Sequence, residues 1–430
     1  MIALLAVGCG ARSGLEVATP APDAGPVIDA APCVPRGVEQ CGPVDDDCDG
    51  RIDEGLPIGP IAEAFALRTT ELETLSAPSC DTCQWAWRPS LVPTREGFFV
   101  PFHLGIYGGR ESPSLAARIT DADGRPMGEV TFVGDSVPLY LRHVRGEVST
   151  GASWIEATLR IGTDDLAGYV VVDPDGSVRV VNLGAGRRAH AQSTIAMRDG
   201  VLTAWHQDAD PERIDAARVD ASGRVLAVSS VSGDLFPTAT LTSHTLARRV
   251  DGEGAVLFVA RFISEPRTFD LHAVRLDADG RAIEAPRTLD PALPQGLPQL
   301  RAMETDEGYV VFDPGNGTPT SARFVSASLD AIEPPIALDT EDGSDLGFTV
   351  MRIAGGLLVI AGNTIVRLDA RGRPIAHWRG RLAPGTDEGN AYTITPDLAV
   401  REGRTFVTWH GIERPGVPNT VWIRELGCLE

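Results

Sequence analysis

No lysine occurs anywhere in the chain, so all 38 basic residues are arginine. That absence excludes a Schiff-base lysine, a phosphate-loop lysine and a lysine general base. Positive charge is scarce as well: 59 acidic residues against 38 basic ones leave a formal charge of −21. Such a balance excludes a sequence-independent grip on nucleic acid phosphates or on an anionic membrane face. After the first few residues no apolar run approaches the roughly 18 residues that a spanning helix needs. Apolar residues spaced at three to four are also missing, while 46 glycines and 32 prolines interrupt the chain, and this speaks against a helical protein.

What is present is a repeated strand unit. Each unit begins with a Gly-led apolar run, passes through a variable polar loop to a run ending Ala-x-Arg-φ-Asp, makes an Asp-x-Asp-Gly-Arg turn and adds a third strand. The turns read Asp121-Ala122-Asp123-Gly124-Arg125, Asp173-Pro174-Asp175-Gly176, Asp220-Ala221-Ser222-Gly223-Arg224, Asp277-Ala278-Asp279-Gly280-Arg281 and Asp369-Ala370-Arg371-Gly372-Arg373, with a degenerate copy at Ser328-Leu329-Asp330. An Asp-x-x-Gly turn suits a hairpin, because glycine supplies the positive φ and aspartate caps its own turn. The period is about 50 residues, the length of a propeller blade.

The glycine-led runs, such as Tyr309-Val310-Val311-Phe312 and Leu357-Leu358-Val359-Ile360, are continuous rather than alternating. Strands of this kind are covered on both faces, as in a blade packed between two others. The expected fold is therefore an all-β, seven-bladed β-propeller, with six or eight blades as alternatives, its units at about 85–135, 139–186, 190–234, 237–292, 297–343, 346–385 and 391–428. The last unit lacks its final strand. Residues 57–67 read like that missing strand, so the N-terminal segment is expected to close the ring and protect its edge.

Before the propeller, expected over 57–430, the chain divides into 1–9, 10–32 and 33–56. Met1 to Gly8 is a short apolar stretch running into Cys9, and it resembles the end of a bacterial lipoprotein signal, in which the cysteine is acylated. The basic opening of such a signal is missing and the stretch is short, so the expectation is a true start that lies upstream, the alternative being a chance match. Residues 10–32 are an Ala/Pro/Asp/Gly run expected to be a disordered tether. With Cys9 consumed, six of the seven cysteines remain to pair in an oxidising compartment. Local spacing joins Cys41 with Cys48 and Cys80 with Cys83, leaving Cys33 for Cys428, although spacing alone does not choose among the connectivities. The Cys80-Asp81-Thr82-Cys83 spacing also occurs in redox motifs, but no βαβ pattern surrounds it.

Residues 33–56 carry Cys41-Gly42-Pro43-Val44-Asp45-Asp46-Asp47-Cys48-Asp49-Gly50-Arg51-Ile52-Asp53-Glu54. Asp45, Asp47 and Asp49 alternate before Gly50, as hard oxygen ligands do in a calcium loop, with the Arg51 carbonyl and Asp53 or Glu54 completing the shell. Leu56 stands where an EF-hand has its bidentate glutamate. The stretch resembles the MopE-type metal-binding motif of surface proteins from large-genome Gram-negative bacteria, which implies bound Ca²⁺. The alternative is an acidic, disulfide-pinned linker without metal.

An aromatic followed by a polar residue ends several leading strands: Phe102-His103, Trp205-His206, Phe312-Asp313 and Trp409-His410. His103, His206, Asp313 and His410 therefore form a candidate ligand ring, against which stands simple repeat inheritance with packed aromatics. His143 and His272 fall in no motif. The repeat resembles uncharacterised blades of secreted bacterial proteins, a likeness that implies fold alone. The Ser-x-Asp-x-Gly-x-x-Trp box of sialidases is absent, and the quinone-dehydrogenase blade motif requires a lysine. The expectation is a monomeric, non-catalytic protein of the cell envelope, an outer-membrane lipoprotein or an extracellular protein, touching membrane only through its lipid and binding protein or glycan. The alternative is a hydrolase or lyase with a carboxylate site in the propeller channel.

Overall fold

A computed structural model of the chain describes residues 58–67, 85–87, 89–105, 114–134, 137–144, 151–161, 164–173, 177–183, 189–207, 213–231, 240–263, 268–293, 300–313, 320–330, 332–340, 348–353, 356–380, 382, 393–411 and 420–428. They form seven antiparallel sheets and no helix, arranged as a β-propeller. Blades I to VII cover 85–134, 137–182, 189–230, 240–293, 301–337, 348–379 and 393–428, the last with 58–67 added. Cys9, the linker, the acidic motif and the cysteines from Cys33 to Cys83 lie outside the described residues.

Blade III shows the common plan. Ala189–Met197, Gly200–Gln207, Arg213–Asp220 and Val225–Ser230 pair in that order, each antiparallel to the next. The first strands of successive blades touch one another, which puts them innermost around the axis. Repeat periodicity alone resolves three strands per unit, and this innermost strand is the one it misses. Its residues, as in Thr240–Arg248 (TLTSHTLAR), are too rich in Ser, Thr and His to read as an apolar run.

The glycine-led second strands are buried on both faces as their composition requires. In blade V, Tyr309 and Val311 pack on blade IV while Val310 and Phe312 pack on blade VI. The outer strands alternate instead, and Leu226 and Val228 of Val225–Ser230 face solvent.

The Asp-Gly turns hold blades to one another as well as strand to strand. Asp220 Oδ1 accepts the backbone N–H groups of Ser222 and Arg224, both at 2.9 Å. Gly223 has φ +91°, and a Cβ there would lie 2.7 Å from Val181 Cγ2 of blade II. Gly280, at φ +80°, is pressed likewise onto Ala216 and Leu202 of blade III. Only glycine satisfies both the backbone and the approach. Arginines complete the contact: Arg179 of blade II donates to the Ala221 and Ser222 carbonyls of the blade III turn at 3.0 and 2.9 Å. Arg404 of blade VII reaches Asp123 in the turn of blade I at 2.9 Å. A forked guanidinium reaches two carbonyls at once, which a lysine ammonium does less well.

The ring closes as the sequence leads one to expect. Ile58–Pro60 and Phe65–Leu67 pair antiparallel with Thr420–Cys428, Ile58 opposite Cys428 and Leu67 opposite Val421. Arg424 Nε donates to the Ala62 carbonyl at 2.6 Å and Nη1 to the Leu382 carbonyl at 2.7 Å, tying the added strand to blades VI and VII. On the other side of blade VII, buried Asp397 accepts from Ser90 Oγ at 2.8 Å and from the Leu91 N–H at 2.9 Å.

Candidate ligand face

The antiparallel plan gives the propeller two unlike ends. Hairpins between first and second strands and the Asp-Gly turns between third and fourth strands meet at one end, where the same turn recurs. Connections between second and third strands, and between blades, join strand ends at the other. These segments, among them 106–113, 208–212, 264–267, 314–319 and 412–419, run from four to eight residues and share no common sequence.

The four ring candidates all sit toward this second end, at or near the end of their second strands. His103 pairs with Trp87 and Leu115, His206 with His190 and Ile214, Asp313 with Ser321, and His410 with Ile394 and Val421. Trp205 packs toward blade II and Trp409 toward blade VI, so the histidine after each is turned to the following blade. Phe312 packs on the following blade VI, which turns Asp313 to the preceding one. The four strand positions thus lie at one end, but the side chains of His206 and His410 turn to the following blade and that of Asp313 to the preceding one. His410 is buried; His206 and Asp313 are half-buried.

The innermost strands contribute polar groups that no motif marks. His244 is buried with Nε2 3.2 Å from the Ala204 carbonyl of blade III. Burial first, then the nearby His206 and Arg301, lower its pKa to about 4. The strand carrying His244 is bulged between Leu241 and Ser243, and Ser243 Oγ accepts the Leu300 N–H of blade V at 3.0 Å.

Between blades II and III lies an uncharged network. Tyr169 Oη and Thr194 Oγ1 are 3.1 Å apart, Thr194 Oγ1 donates to Thr203 Oγ1 at 3.0 Å, and Gln192 Nε2 donates to Thr203 Oγ1 at 3.3 Å and to the Gly168 carbonyl at 3.4 Å. Burial pushes the Tyr169 phenol well above its ordinary range, so it stays protonated. Gln192 lies within the bulge between His190 and Ser193. The sequence signal for this network was only a run of small polar residues ahead of the glycine of blade III.

The buried carboxylates have partners. Asp270 is forked by Arg261 and lies 2.9 Å from His272 Nε2, while His272 Nδ1 is 3.2 Å from Thr288 Oγ1. Asp215 takes Arg213 at 3.1 Å, Asp397 takes Ser90 and Leu91, and Glu156 is also engaged. Among the described residues no three His, Cys, Asp or Glu side chains cluster as metal ligands. No helix among them is long and apolar enough to cross a membrane.

No family model matches the chain, and no curated protein does. Among solved structures it is similar to the polysaccharide lyase Uly1, with a TM-score of 0.53 and 11% identity over 86% of this chain and 100% of that one. It is also similar to the Neurospora crassa Pan2 WD40 domain, with a TM-score of 0.47 and 9% identity over 88% and 97% of the two chains. For the Dos1 propeller the TM-score is 0.42, with 10% identity over 85% and 95%. At these identities the likeness is one of fold.

Proposed function

We propose that this is an exported, lipid-anchored surface protein whose propeller binds a protein or glycan without transforming it, and whose acidic motif holds Ca²⁺. The contrast between the two ends carries the proposal. One end repeats the Asp-Gly turn in blades I, III, IV and VI beside first-to-second hairpins of two to eight residues, whereas at the other the strands and blades are joined by segments that differ from blade to blade. Variable connections on a rigid scaffold are where recognition is built. Cys9 and the run at 10–32 support a lipid tether, and Asp45, Asp47, Asp49, Arg51, Asp53 and Glu54 support the metal.

A carboxylate-based hydrolase or lyase needs an acid and a base free to exchange protons with substrate. The buried Asp215, Asp270 and Asp397 are instead committed to Arg213, Arg261, His272, Ser90 and backbone N–H groups, although burial raises the Glu304 carboxyl on the innermost strand of blade V. This commitment favours binding over catalysis. Glycan and peptide arrays run beside a hydrolase and lyase panel test the choice: retention on an array without turnover is expected, and turnover of any substrate would reverse it.

A further inference from the structure

The innermost strands reverse the charge of the chain that carries them. They hold five arginines, Arg142, Arg248, Arg301, Arg352 and Arg401, against the two carboxylates Glu304 and Asp397, whereas acidic residues outnumber basic ones by 59 to 38 in the whole sequence. The carboxylates offset this excess only in part. Buried Asp397 is committed to Ser90 and Leu91 of blade I, and burial raises the Glu304 carboxyl, which disfavours its charge. Arg401 is also tied to blade I, donating to the Thr94 and Arg95 carbonyls at 3.3 and 2.9 Å. Of the others, Arg248, Arg301 and Arg352 lie on the consecutive blades IV, V and VI.

Strand register places two of these arginines and Glu304 on one rung. Arg248 pairs with Ala255, Glu304 with Tyr309 and Arg352 with Leu357, each partner being the residue after a hairpin glycine, Gly254, Gly308 or Gly356. Glu304 on blade V therefore stands between Arg248 on blade IV and Arg352 on blade VI. Its carboxylate meets the backbone of Arg248, and the charges of both arginines favour its ionised form. Arg352 also reaches Asp306 in the hairpin of blade V. The Arg248 guanidinium makes no hydrogen bond or ion pair among the described residues, and both arginines are exposed. An exposed side chain near the end of an innermost strand borders the mouth of the channel. Arg301, half-buried, pairs with Phe312 and lies nearer the end of unequal connections, about 10 Å along the strand from Glu304.

Building on the binding function proposed above, we infer that Arg248, Arg301 and Arg352 hold the acid groups, carboxylate or sulfate, of an anionic glycan that runs along the channel wall of blades IV to VI. The chemistry of the wall selects that class. A guanidinium is a planar fork of donors that grips an oxyanion through two hydrogen bonds and stays charged throughout the working pH range. Cations set on one rung from blade to blade suit a polymer whose acid groups recur at fixed intervals, as those of a glycan do and those of a peptide do not. The acidic outer surface does not oppose such a ligand inside the channel, because at physiological salt charges more than about 8 Å apart are largely screened. A recess lined by one sign of charge concentrates ions of the other.

The test is an array of neutral, uronic and sulfated oligosaccharides together with a peptide array, followed by calorimetry with the best anionic oligosaccharide. Wild type is compared with Arg248→Ala, Arg352→Ala and Glu304→Gln, and with Arg281→Ala, which removes an equal charge from the exposed rim. Arg248 and Arg352 are exposed, so their variants should unfold at the wild-type temperature while affinity falls about tenfold for each lost charge-assisted contact. Glu304→Gln removes the negative charge between them and should bind about threefold tighter, a gain that a merely structural glutamate would not give. Retention on the uronic or the sulfated arm supports the site and names the acid group. Anionic-glycan binding that Arg248→Ala and Arg352→Ala both leave at wild-type strength, or that Arg281→Ala weakens as much, overturns the site and leaves the general binding function standing. Binding confined to neutral glycans or to peptides does the same. Wild type that binds nothing on either array overturns both.

Discussion

Ile58 lies directly opposite Cys428, so the segment that follows the acidic motif is also the strand that completes the seventh blade. Leu67, fully buried against Val421, Phe98 and Phe406, is the apolar anchor of that strand. Leu67→Ala should cost about 2–5 kcal/mol, the range for emptying a packed core site. Urea unfolding monitored by tryptophan fluorescence gives the value, and a loss below about 1 kcal/mol would mean that closure contributes little.

The same register bears on the disulfides. Ile58 pairs with Cys428 and the acidic segment directly precedes Ile58 in the sequence, which favours a bridge from that segment to Cys428. Non-reducing peptide mapping should recover Cys428 joined to Cys33. Cys428 found free, or joined to Cys80 or Cys83, counts against the pairing.

Gly223→Ala tests the inter-blade role of the Asp-Gly turn. The added methyl would meet Val181 Cγ2 at 2.7 Å from a backbone at φ +91°, so overpacking and backbone strain act together. A loss of about 2 kcal/mol is expected. The control is Gly128→Ala on the outer strand of blade I, where φ is +63° but nothing lies within 4 Å, so only the backbone part of the cost applies. Equal losses for the two would show that turn conformation, and not the neighbouring blade, demands glycine.

Much of this architecture is legible in the sequence, and the parts that are not have physical causes. The turns could be read because one aspartate and one glycine do the same work each time, and the closing strand because it supplies what blade VII lacks. The innermost strands could not, since in Ala189–Met197 and Thr240–Arg248 the polar side chains serve bulges, inter-blade bonds and the channel wall rather than an apolar core. Asp313 matches His206 as a motif but not as a position. Gly308 to Phe312 is one residue shorter than Gly200 to Trp205, and a one-residue slip on a strand exchanges its faces.

His244 sets the acid limit of stability. Its pKa is about 4 in the folded protein, against an ordinary 6.5, because burial beside His206 and Arg301 disfavours the charged ring. The unfolded chain therefore takes up the proton first. Stability should be full above about pH 6.5 and fall progressively toward pH 4, by roughly 3 kcal/mol from this group alone. Asp251 and Asp270, held below their ordinary range, add losses only at lower pH still, as their folded carboxylates protonate. Comparing the pH dependence of unfolding in wild type and His244→Gln checks the assignment, since the variant should lose most of the slope between pH 6.5 and 4.

Calcium uptake should belong to the acidic motif. Calorimetry on the full oxidised chain is expected to show Ca²⁺ binding that Asp47→Ala combined with Asp49→Ala removes. Identical heats for both proteins would place any calcium elsewhere.

Recognition is expected at the end of unequal connections. Array binding by three proteins measures this directly: wild type, a variant with 208–212 and 264–267 replaced by Gly-Ser segments, and a variant carrying Arg281→Ala at an exposed turn of the opposite end. The predicted result is a ligand retained by wild type and by the turn variant but lost from the replaced connections. Binding kept when those connections are replaced and lost with the turn variant would contradict it.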